Sequence, residues 1–491
     1  MTTSADYENT IESWRNDYIS NRSPKKGWEI LENLVKMQFE IAQQMDTDDG
    51  PATEIAEFDD FSTSKLIKLI IGDISSKDLL ADHQILLLEF IPNAHPNILR
   101  HVVQTIRMKE GAISILNTSA LAVGIALARR VTDSETGEEI ARLMAHLVEN
   151  PLICEELKSQ LNANNGKESS VLRSRIYSIA AERARISSDS TCIQWLHDEI
   201  LKSVVDTKDV LAQLDALDTF VDIALSGKEN AETLLDSGVV KKVYEVMEFA
   251  RESPDCGEMY LYGTRFLCYT ARSCPRVLTT FPDFVHRLMN EIRMFDMLSV
   301  TSRLGAFDHF ASMCYSVEAK TTMENMFKDS KDLDNTLGAA GAACAMGTME
   351  MKCRTLQAVT LIFENATNEL AEKWYERLGG NALTHVAVST VKKPFPELKA
   401  SIYDFWQQLF VYPTVAKSFV AFQGFIDWAL DETSENSQEH EFRKRQTIHR
   451  VIELSEKNGD VVKVDPEVVG RLKKYLQPAS APAPRVEEMA L

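Results

Sequence analysis

Apolar positions recur along this chain with a helical period, and the clearest run lies between Pro394 and Asp431. Leu398, Ile402, Phe405 and Leu409 are spaced four, three and four apart, which sets them on one face of a helix. Pro396 opens that helix where a missing N–H costs nothing. Tyr412-Pro413 closes it, because a residue before proline is pushed out of the α region. Ala416 and Phe419 mark a short second helix, Gly424 reads as a breaker suited to positive φ, and a third helix runs from Phe425-Ile426 through Trp428-Ala429. Each helix has one apolar face and is too short to stand alone, so the stretch is predicted to be one unit of a stacked array.

The same grammar recurs upstream. Leu211, Leu214, Leu217 and Val221 form a stripe, Ser226 to Asn230 a loop, Leu234-Leu235 a second helix, Gly238 a break, and Val239, Val240, Val243 and Val246 a third stripe. Another copy has Phe266-Leu267, Pro275, Val277-Leu278, Pro282 and then Phe284-Val285 with Leu288. A further copy has Leu356, Val359 and Ile362, a loop at Asn365 to Asn368, Trp374 and Leu378, Gly379-Gly380, then Leu383 and Val386. Breaks before the third helices fall at 238, 282, 380 and 424, separated by 44, 98 and 44 residues, and 98 is two units of 49. The missing break belongs to the unit around Leu304, Phe307 and Phe310, whose continuation from Lys328 to Gly347 reads as irregular. A period in the forties with two or three helices per unit is the armadillo/HEAT signature. The predicted fold is therefore all-α: an armadillo/HEAT-like α-solenoid, a superhelix of stacked two- and three-helix repeats without a sheet.

The remainder of the chain fits around that array. Residues 1–45 read as amino-terminal helices with a break near Ser23-Pro24, and 46–60 (DTDDGPATEIAEFDD) as an acidic loop. Residues 61–205 read as less regular helical repeats, 206–431 as the well-marked ones, 432–477 as closing helices, and 478–491, with its PASAPAP start, as a disordered tail. Within the less regular part, Thr132 and Glu135 have capping-box spacing ahead of Ile140, Leu143 and Leu147, and Gln160 to Ser170 reads as a polar loop.

Composition narrows the partners. The chain is 44% hydrophobic and 26% charged, with no apolar run of bilayer length, and its acidic amino terminus lacks a signal pattern, so a cytoplasmic or nuclear protein is expected, with no membrane partner. The eight cysteines are scattered with no C-x-x-C pair and read as buried thiols. A formal charge of −20 opposes nucleic-acid binding and suits a partner with a basic surface.

Catalytic patterns are missing where the sequence comes near them. Gly227-Lys228-Glu229 lacks the flanking residues of a phosphate loop, and His440-Glu441-Phe442-Arg443-Lys444 has lysine where a zinc protease needs its second histidine. Gly338 to Gly347 is rich in small residues but has no strand beside it, and reads as a flexible or closely packed connection between repeats. No enzyme, cofactor or metal is predicted. A solenoid of this kind works through its groove, which the third helices line in armadillo stacking. On the present register the groove residues are Lys241, Lys242, Tyr244, His286, Arg287, Asn290, Arg293 and Asp427.

Lys393-Pro394-Phe395-Pro396-Glu397-Leu398-Lys399-Ala400, the Gly424-Phe425-Ile426 step, Arg471-Leu472-Lys473-Lys474-Tyr475-Leu476, Met351 to Ala358 and Phe281 to Val285 together resemble the family of proteasome non-ATPase regulatory subunit 5. The likeness is clearest from about 209 to 477; the acidic loop and the Gly338 to Gly347 segment have no counterpart in it. The resemblance implies a non-catalytic assembly chaperone of the 26S proteasome regulatory particle. Such a protein is expected to hold the carboxy-terminal domain of an ATPase subunit of the base, with other base subunits as further partners, to act as a monomer and to be absent from the mature particle. The alternative is another armadillo-type adaptor or scaffold, for transport or for a phosphatase. An import receptor would repeat Trp and Asn along its groove, and Trp195, Trp374, Trp406 and Trp428 do not share a repeat position with a following Asn.

Overall fold

The structure of the chain is a computed structural model that describes residues 4–45, 60–82, 84–94, 96–163, 168–187, 193–206, 209–252, 257–435 and 437–477. The expected acidic loop, apart from Asp60, and the expected tail lie outside the described residues. Contacts divide the chain into two compact units, Met1–Val246 and Met247–Leu491.

The first unit holds α1 (Ser4–Ser20), α2 (Pro24–Met45), α3 (Asp60–Asp73), α4 (Gln84–Asn93), α5 (Pro96–Arg107), α6 (Ala112–Leu116), α7 (Leu121–Ala128), α8 (Gly137–Leu147), α9 (Pro151–Ala163), α10 (Glu168–Ile186), α11 (Gln194–Val205), α12 (Val210–Leu225), α13 (Lys228–Asp236) and the start of α14 (Val239–Arg251). Helices α1, α3, α5, α8, α10 and α12 pack one on the next in a single row, and α2, α4, α7 and α9 form a second row. That is a two-layer stack in which each helix buries its apolar stripe on its neighbours, as periodic patterning demands.

The second unit continues from the end of α14 with α15 (Gly257–Ser273), α16 (Arg276–Thr280), α17 (Pro282–Arg293), α18 (Val300–Met313), α19 (Val317–Met326), α20 (Asp332–Ala343), α21 (Met349–Phe363), α22 (Asn368–Arg377), α23 (Asn381–Val391), α24 (Pro396–Leu409), α25 (Pro413–Val420), α26 (Gln423–Leu430), α27 (Gln438–Lys457) and α28 (Pro466–Leu476). Four three-helix repeats follow one another, and α27 with α28 closes them. First helices pack in order from α15 through α18, α21 and α24 to α27; α17 packs on α20, α22 on α25, and α23 on α26. Helix starts follow local chemistry. Side chains of Ser299, Ser316, Thr348, Thr367 and Ser437 accept from backbone N–H groups in the first turn, while Pro282, Pro396, Pro413 and Pro466 occupy first turns directly. The fold is an all-α solenoid of the armadillo/HEAT kind, and no strand occurs among the described residues.

Phe405 and Phe419 are fully buried, as the stripe requires, in a cluster where Trp406 meets Phe425 at 5.3 Å and Trp428 at 4.7 Å between ring centres. Cys268, Cys274, Cys314 and Cys344 are buried free thiols, and Cys154 and Cys353 are half-buried ones.

Several expectations need correction. Lys328 to Gly347 is not irregular: it contains α20, and the break before this third helix is the turn around Lys328 to Lys331. Gly424 does not have positive φ, unlike Gly238, Gly379 and Gly380; it lies in the first turn of α26, where a Cβ would come within 2.8 Å of the Phe422 ring, so close approach explains the glycine. Leu211 is 81% exposed, because the first turn of α12 precedes the buried face formed by Ala216, Leu217, Phe220 and Val221. Thr132 and Glu135 lie in a turn before α8. That helix starts at Gly137, and Thr136 donates its hydroxyl to the Pro96 carbonyl at 2.6 Å instead of capping. Gln160 to Ala163 belongs to α9, where Gln160 Nε2 donates to the Ala128 carbonyl.

Candidate partner-binding face

The residues expected to line a groove sit on third helices, but their charges are largely engaged. Arg287 on α17 spreads its guanidinium onto Glu248 of α14, with Nη1 to Oε2 at 2.8 Å. Nearly two turns further on, Arg293 pairs with Asp332, the first residue of α20, at 2.7 Å, and its second Nη donates to Asn290 Oδ1 at 2.6 Å. Asp332 is held below the usual carboxylate range, chiefly by that hydrogen bond from Arg293. Both cations therefore tie one third helix to the next. Each pair joins residues 39 apart, a spacing near the repeat period that makes them rungs between successive units.

The other expected residues are distributed differently. His286 is exposed and sets its ring edge against Phe327, with centres 5.0 Å apart. Asp427 is exposed on α26 and accepts from Gln423 Nε2 at 2.7 Å. Lys241 and Lys242 are exposed on α14 in the first unit, Lys242 pairs with Glu245 at 3.0 Å, and Tyr244 is half-buried. Exposed positions on the intervening helices are Asp334, Asn335 and Ala342 on α20, and Asn381, Ala382, His385 and Ser389 on α23; Asp334 pairs with Arg377 of α22 at 3.0 Å. In the second unit the exposed residues of the third helices thus include His286 and His385 together with Asp283, Asp334 and Asp427, while the arginines turn to the neighbouring helices.

Sequence reasoning passed over the polar residues that hold the repeats together. Glu324 on α19 accepts from Lys373 at 2.6 Å, from Trp374 Nε1 at 2.7 Å and from Arg377 at 2.8 Å, all on α22. Lys320 is 1% exposed and donates to the Tyr315 and Asn365 carbonyls, both at 2.7 Å. Burial lowers its pKa to about 8. Lys399 donates to the Ser434 carbonyl at 2.7 Å and to Glu435 at 2.8 Å, and Lys444 reaches Ser434 Oγ at 2.8 Å, which fixes the connection between α26 and α27. One signal for these residues was available: opposite charges or donor–acceptor pairs recurring at the repeat spacing. A cleft of about 1060 Å³ also opens between α24 and α27, lined by Val411, Phe442, Arg443, His449, Arg450 and Leu476 among others. Arg443 is paired there with Asp404 and Arg450 with Glu453.

Comparison with known proteins adds the following. Residues 11–488 match the family described as proteasome non-ATPase 26S subunit. Curated proteins give no match. Among solved structures, yeast importin-beta (Kap95p) is similar at 12% identity over 90% of this chain and 56% of that one, with a TM-score of 0.47. An engineered protein is similar at 14% identity over 80% of this chain and 98% of its own, with a TM-score of 0.41.

Proposed function

The chain belongs to the proteasome non-ATPase 26S subunit family, and from that premise we propose that it is a non-catalytic assembly chaperone of the regulatory particle. It binds the carboxy-terminal domain of one ATPase subunit of the base, stays with it while the base forms, and leaves before or as the complete 26S particle is made. The observation that carries this reading is the family match over 11–488, which takes in residues of both units. Stacked repeats offer a long surface on which a small folded domain can rest, and bulk projecting from that surface excludes docking of the ring by sterics alone. The acidic surplus of −20 adds attraction to a basic partner patch, a contribution that weakens with salt.

Two measurements test it. The purified protein is expected to bind an isolated ATPase carboxy-terminal domain and, in excess, to lower formation of the full particle. Its affinity purification from lysate is expected to bring ATPase-ring subunits without core-particle subunits. Stable retention in assembled, active 26S particles overturns the reading. Reversing Arg287 or Arg293 is a poor probe of the face, since it also breaks the rungs to Glu248 and Asp332. His286→Asp with His385→Asp alters exposed positions instead.

A further inference from the structure

The cleft between α24 and α27 lies on the row of first helices, at the last step of the stack. Apolar side chains stand open at it. Phe442 is 61% exposed and Val411 49%, and Phe410 and Leu476 line the cleft beside them. Its cations are already matched. Arg443 pairs with Asp404 at 2.7 Å and with Glu439 at 3.4 Å, Arg445 with Glu441 at 2.8 Å, and Arg450 with Glu453 at 2.8 Å. The lining therefore sets three arginines against three carboxylates of its own, Asp404, Glu439 and Glu453. A charged occupant would be desolvated there without gaining a free partner. An apolar, uncharged stretch of chain loses nothing and gains by leaving water.

Such a stretch starts beside the cleft wall. Helix α28 ends at Leu476, a lining residue, and that end is held in place: Arg445 Nη1 donates to the Leu476 carbonyl at 3.3 Å, and the Tyr475 hydroxyl donates to Glu441 at 3.1 Å. The chain thus leaves α28 beside the Phe442 end of α27. Residues 478–491 lie outside the described residues, and they open with Pro478-Ala479-Ser480-Ala481-Pro482-Ala483-Pro484, seven residues without a charge. The family match runs on through this stretch to 488. Proline-rich chain is pre-extended and enters aromatic-lined grooves at low entropic cost. Seven residues of that kind span about 22 Å, and α27 from Phe442 to Glu453 covers about 16 Å. Gln477 is the one residue between Leu476 and Pro478. So short a tether sets an effective concentration on the order of 1 mM, at which a docking constant of about 0.1 mM keeps a site about nine-tenths filled.

We propose that residues 478–484 dock in the α24–α27 cleft of their own chain, running from the Phe442 end toward Arg450 with their prolines against Phe442 and Val411. The cleft is a site for an uncharged proline-rich segment, and another chain reaches it only by displacing this one. The site is separate from the third-helix face and does not depend on which proteasome subunit the chain holds.

The first test uses the full chain. Trypsin cutting after Arg485 releases the hexapeptide Val486–Leu491, whose appearance mass spectrometry follows. Docking of Pro482 and Pro484 withholds that bond, so Val411→Ser/Phe442→Ser is expected to speed release about tenfold, as cleavage tracks the undocked fraction. Met294→Ser/Met297→Ser, at exposed positions away from the cleft, is expected to release the hexapeptide at the parent rate. The second test adds a fluorescein-labelled peptide of residues 478–491 to full chain carrying Pro482→Asp/Pro484→Asp, whose own segment no longer competes. Fluorescence anisotropy is expected to show saturable binding, about tenfold weaker to the parent and about tenfold weaker when Phe442→Ser is added. Raising salt is expected to change that affinity less than about twofold, since no ion pair forms. The substituted cleft side chains are exposed, so helical circular dichroism and the thermal midpoint should stay as in the parent. Equal hexapeptide release from the parent and the cleft variant overturns the proposal, as does equal peptide affinity for the parent and for Pro482→Asp/Pro484→Asp. So does a dimer of the chain that Phe442→Ser dissociates while every variant releases the hexapeptide at one rate, since a second copy would then cover the cleft.

Discussion

In the amino-terminal unit Lys109 donates to the carbonyls of Ile71 and Gly72 at the end of α3, and Arg130 donates to those of Ile91, Pro92 and Ala94 at the end of α4. In the carboxy-terminal unit the same service is done by Lys320, by Gln408 and Tyr412, which both donate to the Phe363 carbonyl, and by Arg450 on the Phe410 carbonyl. The task is common to both: the last carbonyls of a helix have no intrahelical donor, and in a stack a side chain of the same or a neighbouring repeat supplies one. Placement varies in both units. Lys109 and Arg130 are half-buried, as are Gln408 and Arg450, whereas Lys320 and Tyr412 are 1% and 4% exposed, and so is the first unit's Asn230, at 3%, which donates to the Ala184 carbonyl at 2.8 Å. The surrounding cores are what differs between the units. Around α8 the interior is Ile140, Leu143, Met144 and Leu147; around α24 it is an aromatic cluster with Trp406, Phe419, Phe425 and Trp428. Aliphatic layers tolerate small shifts between repeats. Interlocked aromatic layers permit one register.

The largest effect expected from this contrast is at Phe419, which is fully buried and meets Phe410 at 5.4 Å and Trp406 at 6.1 Å. Phe419→Ala should cost about 3–5 kcal/mol, through lost burial and an unfilled cavity. Because each repeat packs only on its neighbours, the loss should act first on the carboxy-terminal repeats. Urea unfolding followed by circular dichroism should split into two transitions, with the later one near that of the parent. A single transition shifted as a whole would show that the two units unfold together.

Acid should weaken both units through one buried imidazole in each. His197 is 1% exposed and sets its ring against Phe220, and His309 is 8% exposed. Burial pushes both pKa values down from 6.5 to about 4. The unfolded chain takes up these protons first, so the stability they contribute is full above pH 6.5 and is lost as pH falls from 6.5 toward about 4. Each group can supply about 3 kcal/mol over that window. Urea midpoints at pH 7 and pH 4.5 should differ less in His309→Leu than in the parent, and only in the transition assigned to the second unit. An unchanged difference would remove His309 as a cause.

The repeat itself was legible because apolar stripes and breakers are local signals: Leu398 to Leu409, Pro413 and Gly238 each report their role within a few residues. Much of the polar scaffold was not, because Arg287 acquires Glu248 and Lys320 acquires Asn365 only when helices about one period apart come together. A cation facing a groove and a cation facing the next repeat have the same sequence pattern, differing only in rotation about the helix. The Gly338 to Gly347 segment was misread for a related reason. Its glycines lower helix propensity, and the close contact that calls for one of them lies on Leu378, far along the chain.

That contact supplies the finest test of the contrast, because three helical glycines face different surroundings. At Gly341 a Cβ would lie 1.6 Å from the Leu378 carbonyl oxygen, in the turn held by Gly379 and Gly380 at positive φ. Backbone in such a turn has little room to move, so Gly341→Ala should cost about 1–3 kcal/mol through forced separation of α20 from the α22–α23 turn. Three residues earlier on the same helix, Gly338 meets nothing closer than 3.7 Å, at the Arg377 carbonyl oxygen. Gly338→Ala should therefore stabilise by about 0.5–1 kcal/mol, since alanine loses less chain entropy on folding. In the first unit Gly124 of α7 faces the ends of Ile153 and Leu147 side chains at 3.4 and 3.5 Å, which can rotate aside. Gly124→Ala should fall within about 0.5 kcal/mol of the parent, as the small packing cost offsets the helix gain. Thermal midpoints of the three variants should then rank Gly338→Ala highest, Gly124→Ala near the parent and Gly341→Ala lowest. If Gly341→Ala were as stable as Gly338→Ala, α20 would not be seated on the α22–α23 turn, and the single register assigned to the carboxy-terminal repeats would be wrong at that step.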